Sequence, residues 1–255
     1  MLQTTDGTLP NGANLKIMMS PVKENMATGM LGMHHVSICD VRHPVAQDIL
    51  KEIEDTMRRF DNGFLRARQD LNFILARLPL RKDWTPDMEE RVTVMQLVLQ
   101  DIRKRKYESL AILYKALREK TLVTEKEIKN LLPTAGRTVI ARWLTGDNTI
   151  SADDGCNYCS LGTSATAPAN GDTQLGTETY RKATSSATYS SNIAYISIFY
   201  TATEVTGTFQ ECGVHIGGTG TANTGQLFSH FLTGGITKTS TETLTVESTI
   251  TINGS

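Results

Sequence analysis

Two short pairs of cysteine and histidine residues are the part of this sequence best suited to chemistry. Cys156 and Cys159 are separated by two residues, and so are Cys212 and His215. Thiolate and imidazole groups are good zinc ligands, and two such pairs can supply the four corners of a tetrahedral site. Cysteines are also common as small apolar residues in protein cores. The sequence leaves open whether these four residues bind zinc, and we predict no metal site from it.

The other histidines do not form a recognisable ligand set. His34 and His35 lie near Cys39 and Asp40 in an irregular part of the chain, with a spacing that matches no metal-binding motif. We expect these two histidines to be solvated or to contact a partner. His230 lies in a strand-like stretch, and we expect it at a surface or an interface.

No sequence signature of an enzyme is present. The chain has no G-x-S-x-G nucleophile motif, no phosphate-binding glycine loop followed by a helix, and no H-E-x-x-H motif. The glycine-rich stretch 217–220 is interpreted as a loop tip. We therefore predict a protein with no catalytic residues, no cofactor and no cofactor-binding or metal-binding residues, which is not an enzyme.

The chain that would position these residues has two parts of different amino-acid composition. Across 255 residues, 26 basic side chains balance 27 acidic ones, which leaves no charge excess for binding nucleic acid. Residues 151–255 hold 3 basic, 8 acidic and 34 Ser or Thr residues, a composition that favours strands and turns. The preceding 150 residues are rich in helix-forming Leu, Met, Glu, Lys and Arg. Residues 1–10 lack a basic cluster and no long apolar run follows, so we expect neither a secretory signal nor a membrane span.

A seven-residue apolar repeat runs through the first helical region. Apolar residues recur at alternating steps of three and four over four heptads: Leu50, Ile53, Met57, Phe60, Phe64, Ala67, Leu71, Ile74 and Leu78. Such a stripe faces a partner helix in a supercoiled seam. The flanking positions specify no clear charge pairing, and Asn62-Gly63 weakens the middle of the helix. We favour an oligomeric coiled coil, with a trimer among the expected states, and keep an intramolecular hairpin as the alternative.

Further helix signals follow this stripe. Pro79 ends the first helix, and Thr85-Pro86-Asp87 begins a second one with an N-cap, a first-turn proline and an acidic residue. The basic run 103–106 in that helix lacks interleaved aromatic residues, so we expect it to face solvent and not nucleic acid. The capping box at 124–127 predicts a third, short helix.

The chain ahead of the helices shows no periodic element. Residues 1–43 are punctuated by glycines and scattered methionines. Such a segment has little means of burying itself alone. We predict an extended arm that orders against a partner, with a partly disordered terminus as the alternative.

The last part of the chain has the pattern of an antiparallel β-sandwich. Turn signals recur at short intervals after residue 150, with β-branched and aromatic runs between them. Residues 244–252 alternate apolar and polar side chains, which predicts a strand with one buried face. Residues 193–200 are apolar on both faces and predict a central strand. Short strands without intervening helices are typical of a sandwich.

These signals together predict an α+β protein in separate modules. A helical hairpin or coiled-coil region precedes an antiparallel β-sandwich. The predicted segments are an extended arm at 1–43, a helical oligomerisation or attachment domain at 44–134, a linker at 135–149 and the β-sandwich at 150–255.

The β-rich part resembles a domain found in structural proteins of tailed-bacteriophage virions. The similarity covers about residues 137–252, and it rests on the order of several motifs: YCSLG at 158–162, TSATAPANGDTQLGTE at 163–178, Tyr180-Arg181-Lys182, the stretch 192–200, Glu211-Cys212-Gly213-Val214 and KTSTETLTVESTITI at 238–252. Such domains occur in tail, baseplate and fibre components. The helical half matches no family.

The resemblance implies a structural subunit of a tailed-bacteriophage virion, in its tail, baseplate or fibre, that is assembled in the host cytoplasm. Its expected partners are copies of itself and other virion proteins, bound through the arm and the helices, with no nucleic acid and no membrane. A capsid decoration or neck protein is the alternative. An alternative of another class is a carbohydrate-binding sandwich, in which Tyr158, Tyr180, Tyr195 and Tyr200 would converge on one exposed face and stack on a glycan.

Overall fold

The fold combines a helical hairpin with two antiparallel sheets, and the hairpin packs on the larger one. The computed structural model describes residues 6–8, 14–16, 30–42, 44–147, 149 and 155–252. Within these residues it contains three helices and two large antiparallel sheets, so the predicted α+β class is confirmed. Among the helices described, none combines the length and the apolar composition needed to cross a membrane.

Two long helices and one short helix make up the α part. They are α1 (Pro44–Leu75), α2 (Pro86–Thr121) and α3 (Thr134–Leu144). α1 ends shortly before Pro79, and a 3-10 turn at Arg81–Asp83 leads into α2. The predicted start of α2 is confirmed, because the Met88 amide donates a hydrogen bond to the Thr85 hydroxyl at 3.4 Å.

α1 and α2 pack side by side within one chain. Ile53, from the apolar stripe of α1, is buried in one cluster with Leu110 of α2. Lys106, which interrupts the apolar pattern of α2, extends its Nζ to within 2.7 Å of Asp61 Oδ1 on α1. The intramolecular hairpin is therefore present, and coiled-coil pairing between chains stays a prediction.

The β part has a five-stranded and a four-stranded sheet. Across the larger sheet the order is β4 (Leu122–Lys129), β3 (Met30–Asp40), β11 (Glu242–Ile252), β8 (Ile193–Tyr200) and β7 (Ser186–Ser190). Across the smaller sheet the order is β10 (Gln226–Lys238), β9 (Gly207–Ile216), β5 (Cys156–Gly162) and β6 (Glu178–Ala183). A short separate pair consists of β1 (Asp6–Thr8) and β2 (Asn14–Lys16). The strands predicted at 193–200 and 244–252 are thus confirmed as β8 and β11.

The two large sheets bury side chains in one shared hydrophobic cluster. The larger sheet contributes Ile198 and Val246, and the smaller sheet contributes Val214 and Phe231. The other face of the larger sheet packs under the helices, where the rings of Phe199 on β8 and Tyr114 on α2 stack with their centres 5.2 Å apart. The larger sheet is therefore covered on both faces.

The structure differs from the predicted arm at the arm's C-terminal end. Met30–Asp40 is β3, which is paired along its length with β11 on one side and with β4 on the other. Val36 and Ile38 join the shared core, but His34 and Ser37 in the same stretch hide the apolar alternation in the sequence. Val41 and Arg42 form a turn after β3, and the remainder of the predicted arm, apart from β1 and β2, lies outside the described residues.

The prediction of a third short helix at 124–127 is wrong. Leu122–Lys129 is β4, with Lys126 opposite Val36 of β3. A capping box satisfies only two backbone N–H groups, whereas pairing with β3 forms backbone hydrogen bonds along one edge of β4. Lys126 Nζ also donates to the carbonyl oxygens of Thr233 and Gly234, each at 2.9 Å, which holds β4 against β10.

The helices and strands are not separate modules in sequence, which corrects that part of the prediction. α1 and α2 form an insertion between β3 and β4, which are neighbours in one sheet. The predicted linker 135–149 contains most of α3. α3 packs closely on β10, since a Cβ on Gly136 would lie 2.7 Å from the carbonyl oxygen of Phe228.

Candidate functional site

The four candidate zinc ligands are not brought together. Cys159 Sγ and Cys212 Sγ lie 3.3 Å apart in the core, where burial raises the pKa of the Cys212 thiol. His215 Nε2 lies 2.6 Å from Ser160 Oγ, and Ser160 projects from the opposite face of β5 to Cys159. Cys156 is the first residue of β5, three positions before Cys159, and burial raises its pKa to about 12. Across the part of the chain that the structure describes, no cluster of three or more Cys, His, Asp or Glu residues could hold a metal ion.

His34 is a core residue, and the expectation that it is solvated or contacts a partner is wrong. Its ring stacks on Phe231 with the ring centres 3.9 Å apart. Its Nδ1 and Nε2 lie 2.5 and 3.0 Å from the hydroxyl oxygens of Ser248 and Ser229. Burial lowers the pKa of His34 to about 3, so the side chain is neutral at physiological pH. His35 is half-buried on the other face of β3.

His230 is also buried, which corrects the expectation of a surface or interface position. Its Nδ1 lies 2.8 Å from Asp172 Oδ2, and its Nε2 lies 3.0 Å from Glu211 Oε2. We call these three residues the Glu211 cluster. Both ring nitrogens face carboxylates, so neither is directed at a position where a substrate could bind.

The Glu211 carboxylate fixes the long loop 163–177 between β5 and β6. It is fully buried, and it accepts hydrogen bonds from the backbone amides of Ser164 at 3.2 Å, Gly176 at 3.0 Å and Thr177 at 2.7 Å. Hydrogen bonds to an ionised acceptor are stronger than those between neutral groups. The two ends of the loop are therefore held at a single side chain.

Two glycines allow the loop to approach this carboxylate. A Cβ on Gly162 would lie 2.5 Å from Glu211 Oε1, and a Cβ on Gly176 would lie 2.7 Å from Ser164 Oγ. No larger residue fits either position without movement of the backbone. The Leu-Gly pairs in the sequence motifs thus have a packing role.

A buried ion pair between Glu178 and Arg181 holds the loop between β9 and β10. Arg181 Nε and Nη2 each donate to Glu178 at 2.7 Å, and both side chains are only 2% exposed. Arg181 Nη1 donates to the Thr224 carbonyl at 2.6 Å, and the Asn223 amide donates to Glu178 at 3.2 Å. The guanidinium group thus connects β6 to a loop of the neighbouring strands.

Two lysines hold the loop between β8 and β9 in the same way. Lys238 Nζ donates to the carbonyl oxygens of Ala202 at 3.1 Å and Val205 at 2.9 Å, and burial lowers its pKa. Lys182 Nζ lies 2.6 Å from both carboxylate oxygens of Glu204. The charged residues of the sequence motifs therefore form hydrogen bonds and ion pairs that hold the loops of the β part in place.

Replacing Arg181 with Lys is expected to lower the free energy of unfolding by about 2 kcal/mol. Lys keeps the charge but loses the bidentate contact with Glu178 and the bond to the Thr224 carbonyl. Urea denaturation measures the change. The matched control is Arg58→Lys, because Arg58 pairs with Asp55 at the same sequence spacing but with side chains 69% and 51% exposed. That control is expected to change stability by less than about 0.5 kcal/mol, and an equal loss in both variants would contradict the role given to Arg181.

The four tyrosines proposed to bind a glycan do not converge on one exposed face. Tyr200 is fully buried, and the half-buried Tyr180 packs against it with ring centres 5.9 Å apart. Tyr195 instead contacts Tyr107 of α2 on the helical side of the larger sheet. Tyr158 is half-buried on β5. This arrangement favours a structural role for these rings.

The half of the helical hairpin next to the α1–α2 turn exposes many large apolar side chains. Seven of them are between 38% and 71% exposed: Leu65, Phe73, Leu75, Leu80, Val94, Leu97 and Val98. We call this half, residues 62–104, the distal hairpin. Contiguous exposed apolar surface on a soluble protein marks a place where another molecule binds.

A groove of about 630 Å³ lies between the hairpin and the edge of the larger sheet. Its walls are mostly apolar or aromatic and include Leu71, Leu99, Trp143 and Cys156. Gln100 Nε2 donates to the Tyr189 hydroxyl at 2.6 Å beside the groove. The residues that line the groove supply apolar contact area. They do not include the pair of acidic and basic side chains that catalysis requires.

No family model, curated protein or solved structure matches this chain. The class of protein is therefore defined by the fold and its contacts alone. It is an α+β protein in which buried charged residues fix the loops of two sheets, while an inserted helical hairpin exposes apolar side chains.

Proposed function

We propose that this chain is a structural subunit of a tailed-bacteriophage virion, in its tail, baseplate or fibre, and that it has no catalytic activity. The observation that carries the proposal is the exposed apolar surface of the distal hairpin. Leu65, Phe73 and Leu97 are each more than half exposed, although other residues of the distal hairpin line the groove beside the larger sheet. Surfaces of this kind are completed by other polypeptides in an assembly.

We further infer that the two large sheets act as a β-sandwich, which serves as a rigid body in that assembly. Support comes from the shared hydrophobic cluster and from three contacts between polar side chains that fix separate loops, namely the buried Glu178–Arg181 ion pair, the partly buried Lys182–Glu204 ion pair and the buried His230–Glu211 contact. Short Ser and Thr side chains on the strands lose little conformational entropy on folding. A rigid frame with a projecting apolar hairpin suits a subunit that must hold a fixed geometry between neighbours.

A glycan-binding role has less support. Stacking on a sugar requires exposed aromatic rings on one surface. Tyr200 lies in the core, Tyr180 is half-buried against it, and Tyr195 packs under α2. Antibody labelling of particles would also distinguish a tail, baseplate or fibre position of the subunit from a neck or capsid-surface position.

The proposal predicts that the chain is a stoichiometric component of virus particles. Particles purified by density gradient from a lysate of the source phage would be analysed by mass spectrometry and labelled with an antibody against residues 155–252. We expect the chain in the particle fraction, with label on the tail, baseplate or fibre. A soluble host protein of similar abundance serves as the control for carry-over. Absence of the chain from banded particles would overturn the proposal.

A further inference from the structure

The outward face of α2 carries three groups of side chains in a fixed order. Acidic residues Asp87 and Glu90 lie at its start, apolar residues follow in the middle, and basic residues Lys104 and Arg105 come after Asp101, which pairs with Arg105 at 2.8 Å. The apolar group consists of Val94, Leu97 and Val98, which are 50%, 57% and 41% exposed. Residues at spacings of three, four and seven share one face of a helix, so the three groups form a continuous strip.

This strip points away from the rest of the chain. Val92 of α2 is buried, and Lys106 contacts Asp61 of α1 from the side that faces α1. At 100° per residue the residues of the strip lie on the opposite side of the helix from these two positions, and they are exposed. The strip is therefore available to another molecule.

The strip is complementary to a copy of itself in the opposite direction. Glu90 and Lys104 are 14 residues apart, which corresponds to about 21 Å along the helix, and Leu97 lies midway between them. An antiparallel pairing of two strips would set Leu97 against Leu97, and Glu90 of each copy against Lys104 of the other. The same residues then serve both subunits, as two-fold symmetry requires.

We infer that two copies of this chain associate through antiparallel contact of their α2 strips. The inference rests on the proposed structural function, because it names the partner of the distal hairpin. It also gives a role to part of the basic run 103–106, whose side chains Lys104 and Arg105 are 59% and 68% exposed and pair with Glu108 and Asp101 one turn away. Charge complementarity sets the direction of the pair, and the apolar group supplies the buried area.

A contact between two single helices lies at the small end of protein interfaces. We therefore expect a dimer with a Kd on the order of 10 µM, which the high local concentration of an assembly would make stable. Analytical ultracentrifugation of the full chain between about 1 and 300 µM covers this range. A chain that stays monomeric throughout would overturn the inference, while detection of that chain in particles would leave the proposed function standing.

Substitutions in the strip identify the contact. Leu97→Glu is expected to raise the Kd by about 30-fold or more, because it places two carboxylates at the centre of the interface. The matched control is Ile112→Glu, since Ile112 is 69% exposed on the same helix but lies about 21 Å beyond Leu97–Val98. That variant is expected to dimerise like the native chain, and circular dichroism would show that both variants fold. Equal weakening by both substitutions would contradict the assignment.

A charge exchange tests the antiparallel direction. Glu90→Lys and Lys104→Glu are each expected to raise the Kd by about fivefold, because each places like charges opposite one another. The double variant restores the pairing with its signs reversed and is expected to return the Kd to within about twofold of the native value. Additive weakening in the double variant would rule out the antiparallel arrangement.

Discussion

Replacing Glu211 with Gln is expected to lower the free energy of unfolding by about 3–5 kcal/mol and to release the loop 163–177. The native carboxylate accepts three backbone hydrogen bonds and lies 3.0 Å from His230 Nε2. A Gln side chain of the same size would direct an N–H group at donors that already point inward. The change therefore leaves buried N–H groups without an acceptor, which is more costly than the loss of the bonds alone.

Two measurements check this expectation. Urea denaturation gives the change in stability, and limited proteolysis with thermolysin reports whether the loop 163–177 opens. The control is Glu125→Gln on β4, because the Glu125 side chain is 38% exposed and has one ion pair, to Arg118 at 3.3 Å. We expect the control to lose less than about 1 kcal/mol and to keep the loop protected. Equal effects of the two substitutions would contradict the role of the Glu211 cluster.

Acid is expected to destabilise the fold through two buried histidines. Burial lowers the pKa of His34 to about 3, and burial with nearby Arg181 and His230 lowers the pKa of His215 to about 3. In the unfolded chain both side chains take up a proton near their ordinary pKa of about 6.5. Between these two values the unfolded state binds more protons than the folded state, so stability falls as the pH falls.

The expected loss is about 1.4 kcal/mol per pH unit for each histidine below pH 6. For the two together this amounts to roughly 5 kcal/mol between pH 6.5 and pH 4.5, and their contribution is complete above pH 7. Urea denaturation at half-unit steps of pH measures the slope. His34→Gln and His215→Gln are each expected to reduce the slope by about 1.4 kcal/mol per pH unit, whatever their effect at pH 7. An unchanged slope in both variants would show that these histidines are not neutral in the folded chain.

The two long helices and two of the central strands could be predicted because their signals are local, whereas α3 was assigned to the linker 135–149. Thr85 and Pro86 specify the start of α2 through their own backbone geometry. The alternation at 244–252 and the apolar run at 193–200 identify strands from neighbouring residues alone. The heptad stripe likewise indicated a helix with a packed face, although it did not distinguish a partner in the same chain from one in another chain.

The strands β3 and β4 could not be predicted, because their partners are far away in the sequence. β3 pairs with β11, more than 200 residues further along the chain, and β4 pairs with β3 across the inserted hairpin. His34 in β3 is polar by type, and only its stacking on Phe231 and its two hydroxyl partners make it a core residue. The capping signal at Thr124 predicted a helix, but the distant pairing of β4 with β3 makes this segment a strand.

The sequence likewise does not show that the charged residues of the candidate site are buried. A glutamate in a strand is usually exposed, and nothing in the letters around Glu211 identifies its partners Ser164, Gly176 and Thr177. The nearby glycines were the available signal, since Gly162 makes room for the carboxylate and Gly176 for the Ser164 side chain. The spacing of the cysteines and histidine was misleading, because residues three positions apart in a strand project from opposite faces.

The central claim is that other polypeptides cover the distal hairpin in an assembled particle. Hydroxyl-radical footprinting of the isolated chain and of the chain within purified particles compares the exposure of Leu65, Phe73 and Leu97 in the two states. We predict that oxidation of these three side chains falls at least about fivefold in particles, relative to Leu144, which is 83% exposed outside the hairpin. Equal oxidation of all three in both states would contradict the claim.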